Sequence, residues 1–173
     1  MNDADRFFQT FVYHLRPHSA EEATLCAEID DLPASRVLAG NNDALVAIGF
    51  LKGECHRNCI RAAAEGQGTQ VFGWTVTPLI YLSHSVLRTD GGRLRCITPY
   101  HTDELDETGS YEFREDTAFT FDGTYMRRNS VYPPRSISII RRNAEFVRQH
   151  YSDLYERVRR RELTFDDARE LGL

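Results

Sequence analysis

The spacing of apolar and polar residues changes along the chain and predicts helices toward both ends with strands between them. Near the N-terminus, Ser19 stands three residues before Glu22, the spacing of a helix capping box, and Pro33 follows the apolar positions. This pattern predicts a helix over about 20–30. The run 44–51 is continuously apolar, which is compatible with either a helix or a buried strand.

The middle of the chain predicts one helix followed by a strand. The helix is expected from Cys55 to Ala64, with Gly66 as its C-terminal stop. The segment 69–79, TQVFGWTVTPL, is rich in β-branched and aromatic residues, as is typical of a strand.

A hairpin is predicted over 80–100, where two strand-like halves flank the sequence DGG. A three-residue loop would place His84 opposite Thr98, on the face that Cys96 shares. A two-residue turn would instead set His84 against Ile97. We predict the three-residue loop.

The last third of the chain predicts more strands and then helices. Strands are expected over 111–128, with a turn at Asp122–Gly123, and over 135–140. From Arg141 the apolar positions follow a helical spacing, and a short last helix is expected between Thr164 and Gly172. The order predicts an α+β fold in a single domain over 1–173. Its core helix and antiparallel sheet would occupy 53–140 and its C-terminal helices 141–173.

Charge and composition narrow the classes of function. The net charge is −5, with an acidic segment over 102–122 and a basic one over 135–161, so a nucleic-acid partner is not expected. No apolar run approaches the roughly 18 residues of a membrane span. The first residues lack the apolar region of a secretory signal, so we expect a cytoplasmic protein with reduced cysteines.

The stretch GECHRNCIRAAA, residues 53–64, carries the candidate chemistry. Cys55 would begin a helix, where unpaired N–H groups and the helix dipole favour the nucleophilic thiolate. A thiol nucleophile needs a nearby histidine. His84 is the candidate because its direction is fixed in a predicted strand, whereas His56 would point about 100° away from Cys55 around the helix.

Two other interpretations of Cys55 remain open. It could be a small buried residue, as Cys59 one turn later could be. Alternatively, Cys55 could share a zinc ion with Cys59, His84 and Cys96, although the paired C-x-x-C spacing common in structural zinc sites is missing. We therefore expect neither a metal nor another cofactor.

The order of a helix-leading cysteine, a strand, a histidine and a partner strand resembles the papain-like cysteine hydrolases, particularly their transglutaminase-like branch. The resemblance covers residues 53–99 and implies a papain-like core, with the Cys55 helix packed on an antiparallel sheet. It also implies an aspartate that orients the histidine, but Cys96 stands at that position. Thr98 or Asn58 would then have to orient His84.

These expectations describe a cysteine-dependent acyl-transfer enzyme that acts on an amide or thioester in a small molecule or peptide. Cys55 would attack, His84 would exchange the proton, and the Cys55 N–H, with Asn58, would hold the oxyanion. Trp74 would line the substrate groove. The alternative is a non-catalytic binding module with a degenerate site. A homodimer contact through 141–160 is a further expectation.

Overall fold

A computed structural model describes residues 17, 19–77, 79–99, 108–121, 126–128, 135–136, 139–142 and 145–170. The helices are α1 (Ala20–Asp30), α2 (Asn42–Ala47), α3 (Cys55–Ala64), α4 (Glu145–Arg159) and α5 (Phe165–Glu170). The strands are β1 (Ala34–Ala39), β2 (Thr69–Val76), β3 (Ile80–Arg88), β4 (Leu94–Cys96), β5 (Ser110–Glu115), β6 (Phe119–Phe121), β7 (Met126–Arg128), β8 (Arg135–Ser136) and β9 (Ile139–Arg141). The fold is therefore a mixture of helices and strands, as the α+β prediction requires. Of the helices described, none is long and apolar enough to cross a membrane.

Three of the predicted helices begin and end for the expected local reasons. Helix α1 begins after Ser19, whose hydroxyl accepts a hydrogen bond from the Glu22 N–H at 3.1 Å. Helix α3 ends before Gly66, which adopts a positive φ of 76°. Helix α5 follows Thr164, which exchanges hydrogen bonds with Asp167. The apolar run 44–51 resolves into the short helix α2 and the loop after it.

The chain divides into two compact units. The first comprises the described residues of 1–26, 78–80 and 140–173, and the second those of 27–77 and 81–139. In the first unit, the main chain and guanidinium of Arg141 donate to the Glu22 carboxylate at 2.9 and 3.1 Å. The prediction of a single domain over 1–173 stays a prediction, and the expected turn at Asp122–Gly123 and helix end at Gly172 lie outside the described residues.

The second unit contains a five-stranded sheet in the order β2-β5-β1-β4-β3, which closes because β2 also pairs with β3. Four of these pairs are antiparallel, but β1 runs parallel to β4, with Leu38 beside Arg95. The sequence did not predict β1, and the expectation of a purely antiparallel sheet is wrong at this pair. A parallel partner needs a long connection, so no local turn signals it.

Two apolar clusters lie on opposite faces of β3, because neighbouring strand residues point to opposite sides. Val86 belongs to one cluster, with Val37, Val71, Leu94, Cys96, Tyr111 and Phe113. Leu87 belongs to the other, with Leu45, Phe50, Cys59, Ala62 and Ile97. The second cluster contains residues of α3, so that helix packs on this face of the sheet.

The register of the β3–β4 hairpin confirms the prediction of a three-residue loop. Leu87 pairs with Arg95, and the Thr89 N–H donates to the Arg93 carbonyl at 3.0 Å. His84, Val86 and Cys96 consequently share one face of the hairpin. Continuing the same register brings Thr98 level with His84.

Candidate functional site

Cys55 is the first residue of α3 and is buried, with 7% of its surface exposed. Its N-cap residue, Glu54, contributes no capping hydrogen bond from its side chain within the described structure; its carboxylate instead lies 3.5 Å from Arg57. The first N–H groups of a helix have no partner inside the helix. At α3 they therefore remain available to a group at the Cys55 side chain.

Backbone N–H groups of Ser85, His56 and Cys55 itself favour the Cys55 thiolate. Burial has the larger effect, and it raises the pKa of the Cys55 thiol to about 11. The sequence predicted a thiolate favoured by the helix terminus. In this structure the thiol is neutral near pH 7, because the loss of hydration outweighs the N–H donors.

The His84 ring makes a hydrogen bond to Cys96, with His84 Nε2 and Cys96 Sγ 3.3 Å apart. The Cys96 thiol donates in turn to the Thr98 carbonyl at 3.7 Å. Because a thiol has a single proton, its sulfur must accept from His84. This assigns the proton of neutral His84 to Nε2 and leaves Nδ1 as the basic nitrogen.

The imidazole and thiol at this position are both uncharged at neutral pH. Burial lowers the pKa of His84 to about 4, with a smaller contribution from the charge of His56. Burial also raises the pKa of Cys96, partly offset by hydrogen bonds from Tyr111 and Thr98. The Tyr111 ring packs edge-on to His84, with ring centres 6.1 Å apart.

Ser85 connects Cys55 to the strand of His84, while the His84 ring lies on the face of that strand opposite to α3. Ser85 follows His84 on β3, and its N–H favours the Cys55 thiolate, which relates the Cys55 thiol to the main chain of the histidine strand. The charge on Cys96 also influences the Cys55 thiol. A direct contact between the Cys55 sulfur and the His84 ring stays a prediction, since the hydrogen bond described for the ring goes to Cys96.

Asn58 has a different role from the one its position suggested. Its Oδ1 accepts from the Leu51 N–H at 3.1 Å, and its Nδ2 donates to the Leu51 carbonyl at 2.8 Å and to Thr98 Oγ1 at 3.4 Å. Both amide hydrogens are thus engaged inside the protein, so Asn58 has none left for an oxyanion. Thr98 is held by the same bond, and both residues fix the loop before α3.

Trp74 lies in the core and does not line a groove, which corrects the prediction made for it. It has 0% exposure, its Nε1 donates to Asp116 at 2.9 Å, and its ring packs on Phe119 with centres 4.6 Å apart. Asp116 in turn pairs with Arg128 at 2.6 Å, and Arg128 also pairs with Glu28. Trp74 is therefore part of a buried polar network.

The sequence did not single out three residues that surround the start of α3: His56, Gln70 and Ser85. His56 Nδ1 is 2.7 Å from the Ser85 hydroxyl, and Gln70 Nε2 donates to that hydroxyl at 3.1 Å. The sequence pattern does not favour His56, because the residue after Cys55 in a helix points about 100° away from it. The alternation of β3 could have indicated Ser85, since it faces opposite to His84 and therefore toward α3.

The four cysteines, Cys26, Cys55, Cys59 and Cys96, are free thiols, and all are buried. Burial also raises the pKa of Cys59, with smaller contributions from Cys55 and Cys96. Within the described residues, no group of three His, Cys, Asp or Glu side chains is arranged to hold a metal ion. The alternative zinc site at Cys55, Cys59, His84 and Cys96 thus gains no support from the geometry. Comparison of the chain with protein-family models, curated proteins and solved structures gives no match.

Proposed function

We propose that the protein is a cysteine-dependent acyl-transfer enzyme, with Cys55 as nucleophile and His84 as the group that exchanges its proton. One observation carries this proposal: Cys96 holds Nε2 of His84 at 3.3 Å, in the position where the papain-like resemblance places an orienting aspartate. That bond leaves Nδ1 as the basic nitrogen. Cys55 supplies a thiol at a helix N-terminus on the other face of the same strand, so the proposal requires the thiol and the imidazole to meet at the edge of that strand.

The reaction begins from a neutral thiol and a neutral imidazole. As the Cys55 sulfur bonds to the acyl carbon of an amide or thioester, Nδ1 of His84 takes the thiol proton. The N–H groups of Cys55 and His56, the first of α3, lie at the sulfur and support the developing oxyanion. The bond to the leaving amine or thiol then breaks as His84 returns the proton. Water releases the acyl group from Cys55 by the reverse steps.

Because the Cys55 thiol and the His84 imidazole are both neutral, we expect general-base catalysis. His84 would remove the thiol proton during the attack, and no thiolate would form beforehand. The pKa of Cys55 lies near 11 and that of His84 near 4, so proton transfer between them is uphill until the sulfur begins to bond. A neutral thiol at Cys96 also stabilises an imidazolium less well than a carboxylate does. We therefore infer slow turnover on a small molecule or peptide in a reducing, cytoplasmic setting. The homodimer through 141–160 stays a prediction.

The burial of the thiol favours a second candidate function. Cys55 is 7% exposed and its pKa is raised, as expected of a cysteine that does no chemistry. In this candidate, a non-catalytic module keeps the helix and sheet but has lost the orienting aspartate. The two functions differ in whether a covalent intermediate forms on Cys55.

Trapping that intermediate separates the two candidates. The protein is incubated with activated thioesters and peptide amides, quenched in acid, and examined by mass spectrometry. An acyl adduct on Cys55 that is lost in Cys55→Ser and forms more slowly in His84→Ala supports the enzyme. An adduct on another residue, or none on a folded protein, supports the binding module.

A further inference from the structure

Three residues outside the proposed catalytic pair form a continuous chain of hydrogen bonds under the first turn of α3. Gln70 Nε2 donates to Ser85 Oγ at 3.1 Å and to the His56 carbonyl at 3.3 Å, which engages both of its hydrogens. The Ser85 hydroxyl accepts from Gln70 and lies 2.7 Å from His56 Nδ1. A hydroxyl can donate one hydrogen bond and accept two, so either tautomer of His56 makes this bond.

The main chain of Ser85 also interacts with the start of α3. The Ser85 hydroxyl contacts His56, the second residue of the helix, and the Ser85 N–H lowers the pKa of the Cys55 thiol. Ser85 itself is immobilised by burial, with 0% exposure in the middle of β3. The His56 ring is held on its other sides by Phe121 and Phe72, with ring centres 5.0 and 6.0 Å away.

We propose that the hydrogen-bonded chain from Gln70 through Ser85 to His56, here called the His56 latch, positions the thiol of Cys55. The latch fixes the first turn of α3 on β3, the strand that carries His84, and keeps the sulfur buried between N–H donors. The His56 side chain thus has a positioning role and touches neither the substrate nor the transferred proton. This inference rests on the proposed function only in that Cys55 is the thiol being positioned.

A matched pair of substitutions separates the hydrogen bond from the packing of the ring. His56→Asn keeps a polar atom at the place of Nδ1, since Oδ1 and Nδ2 of asparagine are equally far along the side chain, but it removes the ring. His56→Phe keeps a ring between the two phenylalanines and removes the polar atom. Gln70→Ala breaks the latch independently from its other end.

The measurement is the rate at which each thiol reacts with iodoacetamide near pH 8, in the otherwise unchanged protein. Trypsin cleaves after Arg57, so the Cys55 and Cys59 adducts fall on different peptides. We expect His56→Phe and Gln70→Ala to speed alkylation of Cys55 about tenfold, the effect of one pKa unit on the thiolate fraction. His56→Asn should stay near the wild-type rate, and Cys59 and Cys96 should not change in any variant.

Three results would overturn the latch. In one, His56→Asn behaves like His56→Phe, which assigns the effect to the ring. In another, all buried thiols speed up together, which indicates general loosening. In the third, Cys55 does not respond. Each is distinguishable from failure of the proposed function, because alkylation requires no turnover and acyl trapping on Cys55 is scored separately.

Discussion

Nε2 of His84 lies 3.3 Å from the sulfur of Cys96, so a thiol occupies the place beside the histidine where a carboxylate would support an imidazolium. Cys96 belongs to an apolar cluster of buried residues, and only 1% of its surface is exposed. A thiol tolerates such surroundings because it is neutral. The same neutrality leaves His84 without a counter-ion when it takes up a proton.

Cys96→Asp is expected to raise the pKa of His84 and, through it, the reactivity of Cys55. A carboxylate 3–4 Å from the ring favours imidazolium by one to three pKa units in comparable pairs. The pH profile of Cys55 alkylation should therefore gain a shoulder below about pH 8 that depends on His84. Cys96→Asn is the control, since it has the same shape without the charge. A folded Cys96→Asp protein with an unchanged profile would contradict the orienting role of Cys96.

The pKa shifts also predict how stability depends on pH. The pKa of His56 and of His84 is lowered to about 4, so between about pH 6.5 and 4 the unfolded chain binds more protons than the folded one. Stability must fall as the pH drops through that window. The lowered pKa of each histidine changes the free energy of unfolding by at most about 3 kcal/mol. Solvent screening at these partly exposed rings makes the change smaller.

On the alkaline side the sign reverses. Because the pKa of Cys55 is raised to about 11, the unfolded chain loses its thiol proton first, and stability falls as the pH rises from about 9 to 11. Urea unfolding at a series of pH values should therefore show a plateau between about 6.5 and 9. In His56→Phe the acid limb should become shallower. A stability maximum near pH 5 would show that these side chains are not buried as described.

The predictable parts of the fold are those that neighbouring residues determine. Ser19, Gly66 and the DGG loop set the ends of α1, α3 and the β3–β4 hairpin, and all three agree with the structure. Strand β1 was missed because both of its partners are distant in sequence. Its sequence, ASRVLA, has no turn that ties it to either.

The candidate site also combines features that neighbouring residues determine with features that depend on distant parts of the chain. Cys55 at a helix start and His84 on a strand follow from local pattern, but the charge state of each depends on burial, which no pattern near Cys55 reveals. Trp74 was assigned to a groove because its partner Asp116 lies 42 residues away. Asn58 was assigned to catalysis because its hydrogen bonds with the loop at Leu51 form only in the folded chain.

The buried network around Asp116 should be among the most sensitive features of the fold. Asp116 is 2% exposed and accepts from Trp74 and Arg128, while Arg128 is itself 7% exposed. Asp116→Ala leaves the buried Arg128 guanidinium paired with Glu28. Removal of one partner of a buried ion pair typically lowers the free energy of unfolding by about 3–5 kcal/mol. Trp74→Phe should cost less, because it removes one hydrogen bond and part of a ring but leaves the Asp116–Arg128 pair intact. Equal losses of unfolding free energy in the two variants would contradict the dominance of the ion pair.

Gly73 should tolerate no side chain, because β2 and β5 approach closely there. A Cβ at this position would lie 2.1 Å from the Arg114 carbonyl oxygen and 2.6 Å from the Phe113 ring, and neither a paired strand nor a core ring can retreat cheaply. Gly73→Ala should therefore lower the unfolding free energy by about 1–3 kcal/mol or more. It should also disturb His84, which pairs with Gly73 across the sheet. Gly91→Ala is the matched control, since its nearest neighbour, Thr89 Oγ1, is 4.0 Å away. If urea unfolding shows the two variants equally stable, the close contact between β2 and β5 does not exist.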